Sequence, residues 1–208
     1  FAYIKKHKQS MLVFDETFPK IDEGRFKKHE WFEFYGDVKE AIPMNAPEPR
    51  GNPVTTNCFV EADHTGDRLT RQLQTGVLIF VNSAPILWIS KRQNTVETST
   101  FGSEFILALK IAVELIEGLR YKLRMFGIPI DGPTNVFCDN MAVVKNTSAP
   151  ESPLKKKHMA ISYHRVREAC AAGTIRITKE HTKTNLADIL TKNLPGPQLH
   201  ELSGHILY

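Results

Sequence analysis

Between Thr98 and Gly127, the residues Phe105, Leu109, Ala112, Ile116, Leu119, Leu123 and Phe126 recur at alternating spacings of four and three. Such a pattern is one apolar stripe along a long helix, which Gly127 and Pro129 end. A stripe this long and one-sided needs a second layer to cover it. The preceding residues supply one: VTTNCFVEAD from Val54, TGVLIFVN from Thr75 and PILWISKR from Pro85 are short runs rich in β-branched and aromatic residues, set apart by HTGDRLTR and by Asn82-Ser83. They read as three successive strands, an antiparallel meander. Beyond the long helix, NVFC (135–138) reads as a short buried strand, 139–147 and 154–172 as helices, TIRITKE as a fifth strand, and Asn185 to Lys192 as a last helix halted by Pro195. The order βββαβααβα is that of an α/β domain, and the chain has no internal repeat.

At 208 residues there is room for one large domain or for one domain with an appendage. Residues 1–53 differ in texture from the rest. A basic start (Lys5, Lys6, Lys8) leads to MLVF and an aromatic segment from Phe26 to Ile42. Pro43, Pro47, Pro49 and Pro53 then fall within eleven residues, which excludes a regular helix or central strand there. The expected division is a linker at 1–53, the main domain at 54–194 and a C-terminal tail at 195–208. With 41% hydrophobic and 24% charged residues, disordered, collagenous and fibrous classes are excluded. The 27 Lys and Arg against 23 Asp and Glu, a formal net charge of +4, permit a polyanionic partner without demanding one. Cys58, Cys138 and Cys170 form no CxxC pair, so they read as small buried residues in a reducing compartment. No apolar run approaches the roughly 18 residues of a membrane span, and no membrane partner is expected. Because the first residue is Phe1 rather than Met, a fragment or processing product is expected.

Acidic residues stand at places where elements begin or end. Glu61 and Asp63 are two apart on the first strand and share a face; Glu104 lies early in the long helix; Asp139 closes the fourth strand; Asp188 lies in the first turn of the last helix. Each has an ordinary reading: Asp188 in a capping box with Asn185, Asp139 as a turn former, Glu104 as a solvated helix residue. As a set they mean more. Carboxylates brought to one point repel and raise one another's pKa, unless hard cations such as Mg²⁺ or Mn²⁺ neutralise them. Two such ions about 3.5 to 4 Å apart activate a water and stabilise the leaving oxygen of a phosphodiester. That is nuclease chemistry.

The phrases FVEADHTGD, SKRQNTVETSTFGSEFILAL, VFCDN, KKKHMAISYHRVREA and NLADILTKNLP occur in unbroken order over about residues 54–195. Together they resemble the ribonuclease H domain at the end of the polyprotein of copia-type retrotransposons, and residues 1–53 resemble the connecting region after its polymerase. The resemblance implies a ribonuclease H-like fold, a five-stranded mixed sheet with helices on both faces, preceded by an irregular connection segment. It implies an endoribonuclease that hydrolyses the RNA strand of an RNA/DNA hybrid with two Mg²⁺ or Mn²⁺ ions, in partnership with the polymerase portion of the same polyprotein. An intracellular location follows, in a cytoplasmic particle or the nucleus, which the sequence does not distinguish. No polymerase motif is present, so no DNA synthesis is expected. The family's acidic quartet falls on Glu61, Glu104, Asp139 and Asp188.

One departure bears on chemistry. The family has Asp at the position of Glu61, and the extra methylene lengthens the reach in a setting where a misplacement of about 1 Å costs about 100-fold. Asp63 is the alternative first ligand. The other reading of the chain is therefore a catalytically impaired relic that at most binds nucleic acid. Gly102 stands where the family has Glu, outside the quartet. His181, in K-E-H, resembles the K-x-H of cellular ribonucleases H, whose histidine assists proton transfer or product release; a plain loop histidine is the alternative.

For substrate grip, the stretch from Glu151 to Cys170 sets Lys155, Lys156, Lys157, Arg165 and Arg167 against Glu151 and Glu168. It reads as a phosphate-tracking surface, or as a solvated helix whose Tyr163 and Val166 pack inward. Lys91, Arg92 and Gln93 resemble the family's K-R-Q and either line the hybrid or blunt an edge strand. Asn140, beside Asp139, has the donor and acceptor chemistry to hold an RNA 2′-hydroxyl.

Overall fold

The computed structural model describes residues 9–63, 74–92, 102–153 and 160–207, with only the backbone for 102–104. In chain order the elements are α1 (Phe32–Tyr35), β1 (Thr56–Asp63), β2 (Gln74–Val81), β3 (Ala84–Arg92), α2 (Gly102–Met125), β4 (Thr134–Cys138), α3 (Met141–Ser148), α4 (Ala160–Ala171), β5 (Ile175–Lys179), α5 (Asp188–Thr191) and α6 (Gly196–Ser203). The strands form one sheet in the order β3-β2-β1-β4-β5. β1, β2 and β3 are an antiparallel meander, whereas β4 pairs parallel to β1 and β5 parallel to β4. This is the mixed five-stranded sheet that the resemblance implied.

Alternation along β1 divides the molecule into two cores. Cys58, Val60 and Ala62 face a layer made by Phe105, Leu109, Ala112 and Ile116 of α2, Val143 of α3 and Tyr163 and Val166 of α4. On the other face Leu78 and Phe80, with Phe59 beside them, pack against Leu186, Leu202 and Ile206. β1 is buried on both faces and still alternates, with Cys58, Val60 and Ala62 on the first face and Asn57, Phe59, Glu61 and Asp63 on the second. The acidic pair Glu61 and Asp63 lies on the second face, in line with Phe59.

Two segments are more structured than their sequence suggested. The stretch expected as a tail contains α6, whose Leu202 is buried in the second core. Pro195 and Pro197 end one helix and open the next, because a proline in a first helical turn lacks only an N–H that has no partner there. The stretch expected as a linker lies on the domain along much of its length. Phe26 is buried edge-on against Phe137, which stacks on Phe59. Arg25 donates to the Lys179 carbonyl at 2.6 Å and pairs with Glu180 at 2.8 Å. Glu40 accepts from both Arg120 and Arg124 of α2 at 2.5–2.8 Å. Those four charge-assisted bonds hold its carboxyl down at about 2, against the burial that works to raise it.

Candidate metal centre

The parallel pairing of β1 with β4 matches Val60 to Cys138, so the next residues, Glu61 and Asp139, emerge side by side at the second face. Asp188 arrives from the other direction, at the start of α5. That single turn sits low on the sheet because Gly76, the β2 residue paired with Glu61, has no side chain. A Cβ there would lie 2.7 Å from Thr191 Cγ2 and 2.9 Å from the Ala187 carbonyl. Ser90 of β3 adds a hydrogen bond to the Leu190 carbonyl at 2.6 Å. The outcome is that Glu61, Asp139 and Asp188 each offer a carboxylate oxygen within 4.8 Å of the others.

Glu61 and Asp188 are 3% and 1% exposed. Burial, then the charge of Asp139, pushes Glu61 up to about 8, with Lys192 pulling the other way. Asp188 is also raised, by burial first, despite its bond to Lys192. The Lys192 ammonium lies 3.1 Å from Glu61 Oε1 and 3.0 Å from Asp188 Oδ1. Burial disfavours its charge, yet the two carboxylates outweigh that and raise its pKa. Among the described residues, three converging carboxylates with one ammonium between two of them are short of positive charge, and an all-oxygen set suits a hard divalent cation. The residues therefore fit such an ion.

Asn185 completes the arrangement. Its Nδ2 donates to Glu61 Oε2 at 3.0 Å and to the Val60 carbonyl at 3.2 Å, while its Oδ1 accepts from Ala187 N. Its sequence position suggested a cap for the last helix, and it does serve that turn, but its amide also aims Glu61. Neither Lys192 nor Asn185 was singled out for the site from sequence. The signal for Lys192 was its position four residues after Asp188, one helical turn on the same face.

The other expected site residues divide. Glu104 lies in the first turn of α2, its side chain outside the described part. Gln93, Lys155, Lys156 and Lys157 lie outside the described residues. Asp63 is buried two residues along β1 from Glu61 and adds to the rise at Asp188, but the converging set contains Glu61 rather than Asp63. His181 is exposed in a turn, its Nδ1 accepting from Lys183 N at 3.2 Å. Asn140 caps α3, its Oδ1 accepting from Ala142 N and Val143 N.

The expectation of a phosphate contact is corrected for Arg167. This residue is 3% exposed, and its guanidinium donates to the carbonyls of Asn146, Ala149 and Pro150 and to the Tyr35 and Tyr163 hydroxyls. Arg165 is ion-paired to Glu117 of α2 and Glu168. Register separates the basic residues of β3: Gln74 pairs with both Asp63 and Arg92, which puts Arg92 on the acidic face and its neighbour Lys91 on the opposite one.

The chain is 29% identical over 145 residues to the retrovirus-related Pol polyprotein from transposon RE1 of Arabidopsis thaliana, and 31% identical over 137 residues to that from transposon TNT 1-94 of Nicotiana tabacum. These matches cover 70% and 66% of this chain. Its homologues are Pol polyproteins of copia-type transposons. The matched stretch is 10% of the length of each of these polyproteins. No family model matches the chain. LC11-RNase H1, solved in complex with RNA/DNA hybrid, superposes with a TM-score of 0.51 at 13% identity, over 66% of this chain and 94% of that one. The fold is ribonuclease H-like, and the convergent carboxylates lie on its sheet where α5 meets β1 and β2, beside the end of β4.

Proposed function

We propose that this chain is the ribonuclease H portion of a retroelement Pol polyprotein, an endoribonuclease for the RNA strand of RNA/DNA hybrids. The observation that carries this reading is the mutual approach of Glu61, Asp139 and Asp188 within 4.8 Å. The family resemblance adds Glu104 as the proposed fourth member of the set. Two Mg²⁺ or Mn²⁺ ions, when bound, would supply the charge that activates water and stabilises the leaving oxygen of a phosphodiester. The chain's own residues do the rest. Asn185 aims Glu61, the seat at Gly76 fixes Asp188, and Arg92 stands on the same face two strands away, roughly 10 Å, within reach of a backbone phosphate.

The proposed partner besides the hybrid is the polymerase portion of the same polyprotein. Met11, Phe14, Phe18, Phe32, Ile42 and Met44, all in the segment before β1, are each more than half exposed. An apolar surface of this kind on a segment otherwise fastened to its domain suits a neighbouring protein surface.

One observation favours a second reading, binding without cutting. Glu stands where the resemblance gives Asp, and Lys192 bonds that same carboxylate. Labelled hybrid, RNA duplex and DNA duplex incubated with Mg²⁺, Mn²⁺ or EDTA separate the two. Cleavage confined to the RNA of the hybrid and to the metal-containing reactions is the expected result. Hybrid binding with no cleavage under either metal establishes the second reading, and cleavage in EDTA overturns the metal assignment.

A further inference from the structure

We infer that Lys192 is the resident counter-cation of the carboxylate cluster, holding Glu61 and Asp188 while no divalent ion is bound and leaving them when one binds, so that it sets the affinity of the site for metal. This rests on the metal reading above. Lys192 is a positioning residue, acting on the reaction through the carboxylates it holds.

Three features point to that role. First, the Glu61 oxygens are divided: Oε2 is held by Asn185 at 3.0 Å and Oε1 by Lys192 at 3.1 Å. A cation that takes Glu61 by Oε1 needs the ammonium to withdraw, while Asn185 keeps the other oxygen in place. Second, Lys192 closes the cluster from the solvent side. Its side chain is 22% exposed, against 3% and 1% for the two carboxylates it bridges. An outward path is therefore open to it.

Third, the backbone permits the movement. Lys192 caps α5 in an extended conformation, φ −109° and ψ 148°, so its side chain swings without unwinding the turn that carries Asp188. An ammonium and a divalent ion among the same oxygens repel strongly at these separations. Without either, the converging carboxylates lack a counter-charge among the described residues, which is costly in a buried setting. The extra methylene of Glu61 brings its carboxylate out to the lysine, giving the departure from Asp a structural consequence.

A thermodynamic cycle tests this on the full chain. If Lys192 leaves when metal enters, removing it harms only the metal-free protein. Thermal unfolding of wild type, Lys192→Met and Lys192→Gln is measured in EDTA and in saturating Mn²⁺, with calorimetric titration of Mn²⁺ into each. Both variants are expected to melt below wild type in EDTA, to match it in Mn²⁺, and to bind Mn²⁺ about tenfold more tightly, a change of about 1.4 kcal/mol. A variant that folds only with Mn²⁺ gives the same answer, and the other variant then supplies the affinity.

Equal loss of melting temperature in both conditions with unchanged affinity overturns the proposal, since Lys192 is then an ordinary ion pair that stays. An unchanged melting temperature in EDTA overturns it as well. Failure of wild type and both variants to bind Mn²⁺ overturns the metal reading itself, and the proposal with it.

Discussion

Glu61 is held from two sides, by an amide and by an ammonium, and each hold makes a separate prediction. Asn185→Ala leaves Glu61 Oε2 and the Val60 carbonyl without this donor in a buried site. A loss of about 1 to 3 kcal/mol in urea unfolding is expected. Glu61→Asp shortens the reach towards the other carboxylates. Single-turnover cleavage of hybrid in Mg²⁺ should rise, while Asp63→Asn should change it little; the opposite pattern makes Asp63 the ligand. Of the acidic residues, Glu61, Asp139 and Asp188 converge, and each could be picked out because it stands on a strand among apolar neighbours, at a strand's close or in a first helical turn. Asn185 and Lys192 could not. Their ordinary roles, cap and solvated helix end, satisfy the local sequence, and their shared partner Glu61 is more than a hundred residues away.

At the scale of elements, the seat of α5 depends on one missing side chain. Gly76→Ala forces a shift, because the new Cβ meets a backbone carbonyl as well as Thr191. The expected cost is about 1 to 3 kcal/mol. Mn²⁺ affinity should fall with it, measured by calorimetry, since Asp188 moves with the turn. The misreading of Arg167 has a related cause. Counting charge over Glu151 to Cys170 suggests a basic surface, but Tyr163, Val166 and Arg167 are spaced three and four apart and share one helical face. With Tyr163 and Val166 buried, Arg167 is carried inward, where carbonyls at the end of α3 bind its guanidinium. The helix in the supposed tail was missed because a proline that stops one helix was not also taken as the start of the next. Leu199, Leu202 and Ile206, at spacings of three and four, were the available signal.

Across the whole molecule, the segment before β1 and the long helix are joined by Glu40 and its two arginines. The Glu40 carboxyl is held at about 2, below its ordinary value of 4.5, so the stabilisation is complete above about pH 4.5 and is lost as pH falls towards 2. Glu40→Gln should therefore lower stability by about 2 to 3 kcal/mol at neutral pH and flatten the acid limb of the stability profile between those values. The proposed role of the carboxylate cluster is hydrolysis of RNA paired with DNA. Its most direct test is single-turnover cleavage of a labelled hybrid by wild type and Asp139→Asn in Mg²⁺ and Mn²⁺, with hybrid binding measured in parallel. A loss of about 100-fold or more in cleavage, with binding kept, is the predicted result. Cleavage by Asp139→Asn at the wild-type rate would exclude the cluster from the reaction.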